Sequence, residues 1–290
     1  MNYIILDLEW DSTYYPKLKR FINQILQIGA VKLDNKFNVI DTFEVTVKSD
    51  ISKKVTGRFA KLTGITTEIM LSGVPFETAV ERYNQWVGED TVTMTWSNSD
   101  LYTILENEDN ILKNTRFKIE KYLDLQKFVQ GEMRLSGYED KNQVSLEAAA
   151  EILNIKTDDI DFHTAKDDSL VCAYLLKKCY NKPRFEALIR DTSDPEFFKR
   201  LRFKAHPISN IKDKNIQKSH LEFNCENCGK QAKQVSRWKY SNRWFWANFV
   251  CSCGNKFSGR VTFKKTYDDL IVRKKVCEFK EKKETTPKGS

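Results

Sequence analysis

No stretch of this chain stays apolar for the roughly 18 residues that a helical membrane span requires, which excludes that class of protein. No basic region opens the N-terminus, and Asp7 arrives too early for a signal peptide, so the sequence reads as an intracellular, cytoplasmic protein. Cysteine is not dispersed as a disulfide framework: of seven, four are clustered in CENC and CSC. No internal repeat is present. What remains is a chain of 290 residues, 40% apolar and 12% aromatic, enough for one good core and a second small one.

Charge is unevenly spread. Residues 1–180 hold 22 Lys and Arg against 28 Asp and Glu, a net of −6, whereas residues 181–290 hold 26 against 12, a net of +14. An acidic module joined to a basic one suggests cation binding or catalysis in the first half and a polyanion as the partner of the second.

In ILDLEW, an apolar strand-forming run leads into Asp7 and Glu9. Side chains alternate along a strand, so both carboxylates share a face with Tyr3 and Ile5. Either this is an edge strand with a wet face, or the pair needs a cation or donors to offset the cost of leaving water. ILQIGAVKLD and NKFNVIDTFEVTV complete a three-strand meander. VPFETAVERYNQWV has Phe76, Val80, Tyr83 and Val87 at helical spacing; TVTMTW is the next strand, and SDLYTILENEDNIL a helix. YLDLQKFV reads as a short strand, and VSLEAAAEILNI and TAKDDSLVCAYLLKKC as helices. Strands followed by alternating helices and strands give a mixed-sheet α/β layer fold.

On the last of these helices Asp168, Val171, Cys172, Leu175 and Cys179 form one stripe, so its core-facing side begins with an aspartate. Thr164 and Asp167 read as a capping pair, and His163 sits just before them, either solvated or over a site. Asp100, at a strand's exit, is either an N-cap, in competition with Ser99, or a carboxylate where open α/β sheets bind ligands.

Asp7-x-Glu9, then Asp100 preceded by Trp96-Ser-Asn-Ser, then His163-x4-Asp168 resemble the DEDDh, or DnaQ-like, 3′–5′ exonucleases of the RNase H-like fold. QIGAVKLD resembles that family's IGAV strand, and KLTGIT (Lys61 to Thr66) the substrate loop of the Eri-type exoribonuclease subgroup. Three departures stand out: Trp96-Ser97 where Trp-Gly is common, Gln27 where Glu is common, and the insert DSTYYPKLKRFIN. The resemblance implies a metal-dependent hydrolase with Asp7, Glu9, Asp100, His163 and Asp168 as catalytic residues. The four carboxylates would hold two Mg²⁺ or Mn²⁺ ions, with Asp7 bridging and His163 as general base. It implies release of nucleoside 5′-monophosphates from a free 3′ end, single-stranded or overhanging, with RNA favoured. Leu62, Gly64, Ile65 and Trp96 would lie on the substrate side. The rivals are a DNA proofreading or repair exonuclease and a nucleic-acid-binding adaptor with a vestigial nuclease fold.

Cys225-x2-Cys228 and Cys251-x-Cys253, each followed by glycine, are two knuckles that can direct four thiolates at one structural Zn²⁺. Four reduced, unmetallated cysteines are the alternative, and His220 is a possible substitute ligand. Between the knuckles Trp238, Tyr240, Trp244 and Trp246 alternate as on a hairpin turning at Ser241-Asn242, with Arg237, Lys239 and Arg243 interleaved. Such aromatics serve as core or, with the basic residues, as a nucleic-acid surface; docking to a protein partner is the rival. The expected architecture is therefore an RNase H-like exonuclease domain over 1–182 and a basic linker with one short helix over 183–218. A small zinc-ribbon domain over 219–275 and a charged tail over 276–290 complete it.

Overall fold

The computed structural model describes residues 1–140, 142–157, 160 and 162–279. The chain divides into two compact units, residues 1–198 and 199–290.

The first unit is built on six strands: β1 (Asn2–Tyr15), β2 (Arg20–Leu33), β3 (Val39–Thr46), β4 (Thr91–Thr95), β5 (Lys121–Asp124) and β6 (Arg190–Asp191). They lie in the order β3-β2-β1-β4-β5-β6. β1, β2 and β3 form the antiparallel meander, and β4 and β5 continue from β1 in parallel. The consecutive apolar residues Ile4, Ile5 and Leu6 suit the centre of a sheet covered on both faces, and all three are fully buried. The helices are α1 (Gly57–Thr63), α2 (Thr67–Ser72), α3 (Phe76–Val87), α4 (Asn98–Asn110), α5 (Leu125–Leu135), α6 (Leu146–Ile152), α7 (Ala165–Cys179) and α8 (Lys182–Leu188). As the periodicity predicts, Phe76, Val80, Tyr83 and Val87 are the buried side of α3, and Val171, Cys172 and Leu175 that of α7.

The insert DSTYYPKLKRFIN is the far end of a long β1–β2 hairpin. One extra residue, Leu26, bulges from β2 where the register shifts between Glu9 and Trp10. The freed backbone there is bonded from α4: buried Asn107 accepts from the Ile25 N–H through Oδ1 at 3.1 Å and donates through Nδ2 to the Asn23 carbonyl at 2.6 Å.

Before the second unit, two expectations need correction. YLDLQKFV is a strand only as far as Asp124; the Asp124 carboxylate then accepts from the Lys127 N–H at 2.9 Å and starts α5. The expected linker from 183 is not one at its beginning. Asn181 caps α8, Pro183 lies in its first turn, and Phe185 is fully buried against Tyr3, Phe37, Phe128 and Tyr180. β6 then pairs with β5 at the sheet edge. The expected short helix is α9 (Pro195–Arg202), which spans the division between the units.

The second unit contains β7 (His206–Pro207), β8 (Lys233–Gln234), β9 (Lys239–Ser241), β10 (Trp244–Val250), β11 (Lys256–Lys265) and β12 (Leu270–Cys277). Its sheet runs β12-β11-β10-β8, with β7 on β11 and β9 on β10. Ile208, Phe223, Phe245, Phe249, Phe257 and Phe263 make its core. The unit is thus larger than the stretch 219–275: it begins in the expected linker and its last strand reaches Cys277. Residues 280–290, most of the expected tail, lie outside the described residues.

The hairpin turns at Asn242-Arg243, both in the left-handed region, one residue beyond the expected Ser241-Asn242. That step sets Tyr240 against Phe245 at 4.7 Å, while Trp238 packs with Phe223 and Phe249.

Candidate active site

Asp7 and Glu9 project from one face of β1, and Asp168 enters from the first turn of α7. Each of the three offers a carboxylate oxygen within 4.8 Å of the others. Asp100, in the first turn of α4 beyond the end of β4, lies outside that 4.8 Å group and is buried, at 4% exposure. Ser97, neither Asp100 nor Ser99, caps α4, so Asp100 is released from the capping role. Its Oδ1 has no hydrogen-bond partner among the described residues, although the Leu8 N–H donates to the carboxylate.

A glycine sets the approach of α7. Asp7 is registered opposite Gly29 on β2, and a Cβ at Gly29 would fall 2.3 Å from the Ala165 carbonyl carbon and 2.4 Å from the Lys166 nitrogen. Only a bare backbone lets the start of α7 lie on β2 beside Asp7. Gln27, at the position where the resembled family commonly has Glu, accepts from the Ala165 N–H at 3.3 Å, and Ser169 donates to the Gly29 carbonyl at 3.5 Å. Gly29→Ala is expected to shift Asp168 and lower kcat about 10²-fold, since displacements near 1 Å carry that cost. Steady-state kinetics beside a thermal melt would test this; a kcat near wild type would mean α7 is held otherwise.

Burial raises all four carboxyls, and repulsion adds to it, from within the set for Asp7, Glu9 and Asp100 and from Glu147 and Asp167 for Asp168. Asp7 lies well above the ordinary carboxylate range through burial and the charges of Asp100, Asp168 and Glu9. Glu9 is pushed up to about 8 by burial and then by Asp168 and Asp100. Burial raises Asp100 to about 7 against the opposing backbone hydrogen bonds, and Asp168 to about 6 against the His163 N–H. Carboxylates crowded in this way bind a hard divalent cation, which repays their desolvation. The donor set fits Mg²⁺ or Mn²⁺: oxygen atoms only, from rigid elements, with one buried oxygen unpartnered.

His163 stands on the loop before α7 with φ at +72°, a conformation unusual for a non-glycine residue. Its N–H donates to Asp168 Oδ1 at 3.4 Å, and its Nε2 lies 3.5 Å from Glu147 Oε1. Glu147, in the first turn of α6, was not foreseen from sequence, because the pair joins a helix and a loop with no common periodicity. Thr164 caps α7 by accepting from the Asp167 N–H, as its spacing suggests.

Asp11 shares the strand face of Asp7 and Glu9 but has another task. It is buried and accepts from the Thr56 N–H at 2.7 Å and from the Thr56 hydroxyl at 2.8 Å, and Thr56 caps α1. This fixes the start of the segment that ends in KLTGIT. Leu62 is half exposed there, and Gly64, in the left-handed region, ends α1. Ile65 is a correction: at 3% exposure it packs with Leu26, Phe59 and Met70, so it supports the loop from beneath and has no free face for a base. The Trp96 ring is packed against the core beside the site, and its carbonyl accepts from the Gln126 N–H at 2.8 Å.

In the second unit the thiols of Cys225, Cys228, Cys251 and Cys253 converge, with Sγ separations of 3.6 Å (Cys225 to Cys253) and 3.4 Å (Cys228 to Cys251). Gly229 and Gly254, both at positive φ, close the two knuckles. The Asn255 amide donates to Cys225 Sγ at 3.3 Å and lowers that thiol to about 6. His220 is outside the cluster; its Nδ1 accepts from the Gln217 N–H.

A sequence profile of the Exonuclease family (RNase_T) matches residues 13–176, and the chain belongs to that family. The matched span holds Asp100, His163 and Asp168 and begins after Asp7 and Glu9. Similar solved structures include cell-death related nuclease 4 (CRN-4), at 23% identity and a TM-score of 0.51, with 61% of this chain and 62% of that one covered. The nuclease domain of 3′hExo, a DEDDh family member bound to rAMP, has 20% identity and a TM-score of 0.52, covering 61% and 90%. A 3′-exonuclease in 3′-end-specific recognition of a histone mRNA stem-loop has 18% identity and a TM-score of 0.53, covering 66% and 84%. These likenesses place the first unit in the RNase H-like exonuclease fold. The match spans less than two thirds of the length of CRN-4, 62%, and of a full-length 3′-exonuclease, 59%. A search of curated proteins returns no match.

Proposed function

We propose that the chain is a metal-dependent 3′–5′ exonuclease that acts on RNA in preference to DNA and releases nucleoside 5′-monophosphates. The observation that carries this reading is the convergence of Asp7, Glu9 and Asp168 within 4.8 Å, with buried Asp100 close enough for its charge to act on Asp7. These four carboxylates would hold the ions, and Asp7 is the one that feels the charges of all the others. Two divalent ions, when bound, supply Lewis acidity and neutralise charge accumulating on the phosphodiester.

The remaining work falls to the chain's own groups. His163 takes a proton from the attacking water, and Glu147 Oε1, 3.5 Å from Nε2, holds and orients the imidazole between turnovers. Leu62 and Gly64 bound the place of the terminal nucleotide, on a loop that Asp11 anchors through Thr56. RNA is favoured by the KLTGIT loop, and two of the similar structures hold rAMP or recognise a histone mRNA stem-loop. The second unit would be a zinc ribbon, with one structural Zn²⁺ on Cys225, Cys228, Cys251 and Cys253, that holds or selects the substrate. Arg237, Lys239 and Arg243 are exposed there for phosphate contact.

The test is incubation of the full chain with Mg²⁺ or Mn²⁺ and 5′-labelled single-stranded RNA or DNA. A ladder shortening from the 3′ end, faster on RNA, is expected. No cleavage of either strand overturns the exonuclease reading, and faster cleavage of DNA replaces the RNA preference with the DNA-repair alternative.

A further inference from the structure

The two faces of the second sheet differ in chemistry. Alternation puts Phe245, Ala247 and Phe249 of β10 with Phe257, Val261 and Phe263 of β11 on the buried side. The other side carries Trp244 and Trp246, both partly exposed. Register sets the neighbours of these two rings. Trp246 lies opposite Lys239 on one flank and Arg260 on the other, and Arg260 in turn lies opposite Lys275. Thr262, one step along β11, lies opposite Arg273. The Lys239 ammonium sits 5.1 Å from the centre of the Trp246 ring. No acidic residue occupies any described strand position on this side.

We propose that this face is a binding surface for single-stranded nucleic acid, with Trp244 and Trp246 stacking on bases and Lys239, Arg260, Arg273 and Lys275 meeting phosphates. The inference deepens the exonuclease reading and rests on it for the identity of the polymer. Arg260, Arg273 and Lys275 lie far along the chain from the aromatic hairpin, so only the strand register brings them together. Charge selects the occupant. The centre of a protein-docking patch is depleted of lysine, whereas here Lys239 lies against the Trp246 ring, Lys275 lies opposite Arg260, and no acidic residue on the described strands of this face offsets the four cations. A basic track with interleaved aromatic platforms is the arrangement that holds a strand without regard to sequence. Bases paired within a duplex offer no free face to the tryptophans, so the occupant is single-stranded.

The test uses the full, zinc-loaded chain carrying Asp7→Asn, so that substrate is not consumed, and a 5′-fluorescein 20-mer of oligouridylate followed by anisotropy across a salt series. Arg273→Glu with Lys275→Glu is expected to weaken binding at least tenfold. It should also lower the slope of log K against log salt by about 1.4, at about 0.7 for each lost phosphate contact. Trp246→Ala should weaken binding by about tenfold with little change of slope. Arg273 and Lys275 are exposed, so zinc content and thermal melting should be unchanged in the charge variant. Lys212→Glu with Lys214→Glu, at exposed positions off this sheet, serves as the control and should stay within twofold of the parent. Affinity within twofold for both face variants overturns the proposal and leaves the face to a protein partner. An equal loss in the control overturns it too, because binding would then follow net charge alone. Failure of the exonuclease reading shows separately, as absence of cleavage by the wild-type chain.

Discussion

Asp7→Asn is expected to reduce hydrolysis on the order of 10³-fold or more while leaving the fold intact. The substitution removes the carboxylate flanked by all the others, and electrostatic stabilisation by a single well-placed group already carries about 10²–10³ in rate. Its second effect runs the other way. Without Mg²⁺ or Mn²⁺, the ionised cluster opposes folding, because each group titrates higher in the native protein than in the unfolded chain. The reference values are 3.8 for Asp and 4.5 for Glu, against about 6 for Asp168, about 7 for Asp100 and about 8 for Glu9. A raised carboxyl contributes stability that is fully present below the unfolded value and is lost as pH rises through the folded one. In buffer lacking both ions, the wild-type Tm should therefore fall between about pH 4 and pH 8. Asp7→Asn, which removes one of the raised carboxyls and with it that group's share of the loss, should melt higher than wild type at pH 8 and converge with it near pH 4. Added Mn²⁺ should reverse that order at pH 8 by stabilising only the wild type strongly. A variant with full activity would move the site elsewhere, and a flat wild-type pH profile would mean that the four carboxyls do not share one charge cluster.

Three of the carboxylates were legible from local, periodic signals, whereas Asp100, which its position alone left open as an N-cap, was picked out by the resemblance. Alternation along β1 puts Asp7 and Glu9 on one face, and the stripe of α7 begins at Asp168. The parts that were missed depend on contacts across the chain. Helix α8 is seven residues long and anchored mainly by Phe185, so it offers no repeat to read within a basic stretch. Glu147 meets His163 only because α6 and the loop before α7 come together. Ile65, an apolar residue beside a loop glycine, looks like surface until the β2 bulge brings Leu26 against it. The partner of Tyr240, Phe245, was not legible because the turn, defined by positive φ at Asn242 and Arg243, lies one residue beyond the expected Ser241-Asn242. In each case the sequence names the residue, but a register or packing event decides its neighbour.

Removal of zinc, or Cys225→Ser, should unfold the cysteine end of the second unit. Four thiolates within 4.8 Å repel one another once ionised, and the Asn255 donor already favours ionisation of Cys225. Structural Zn²⁺ in comparable small sites supplies about 10–16 kcal/mol, as much as the whole stability of a typical domain. On the zinc-ribbon proposal the two knuckles at Gly229 and Gly254 depend on the sulfurs being drawn together by the ion, a constraint that the phenylalanines from Phe223 to Phe263 would not supply. Metal analysis should give one zinc per chain in the wild type and less than about half in Cys225→Ser. Trypsin should then cut quickly after Lys230, which is exposed in the first knuckle. The first unit has its own core, so cleavage of very short oligomers should survive the treatment while affinity for a 20-mer falls with the loss of the Trp244–Trp246 face. A folded, protease-resistant second unit carrying no zinc would show that the four cysteines are a reduced cluster and that the aromatic core alone holds the sheet.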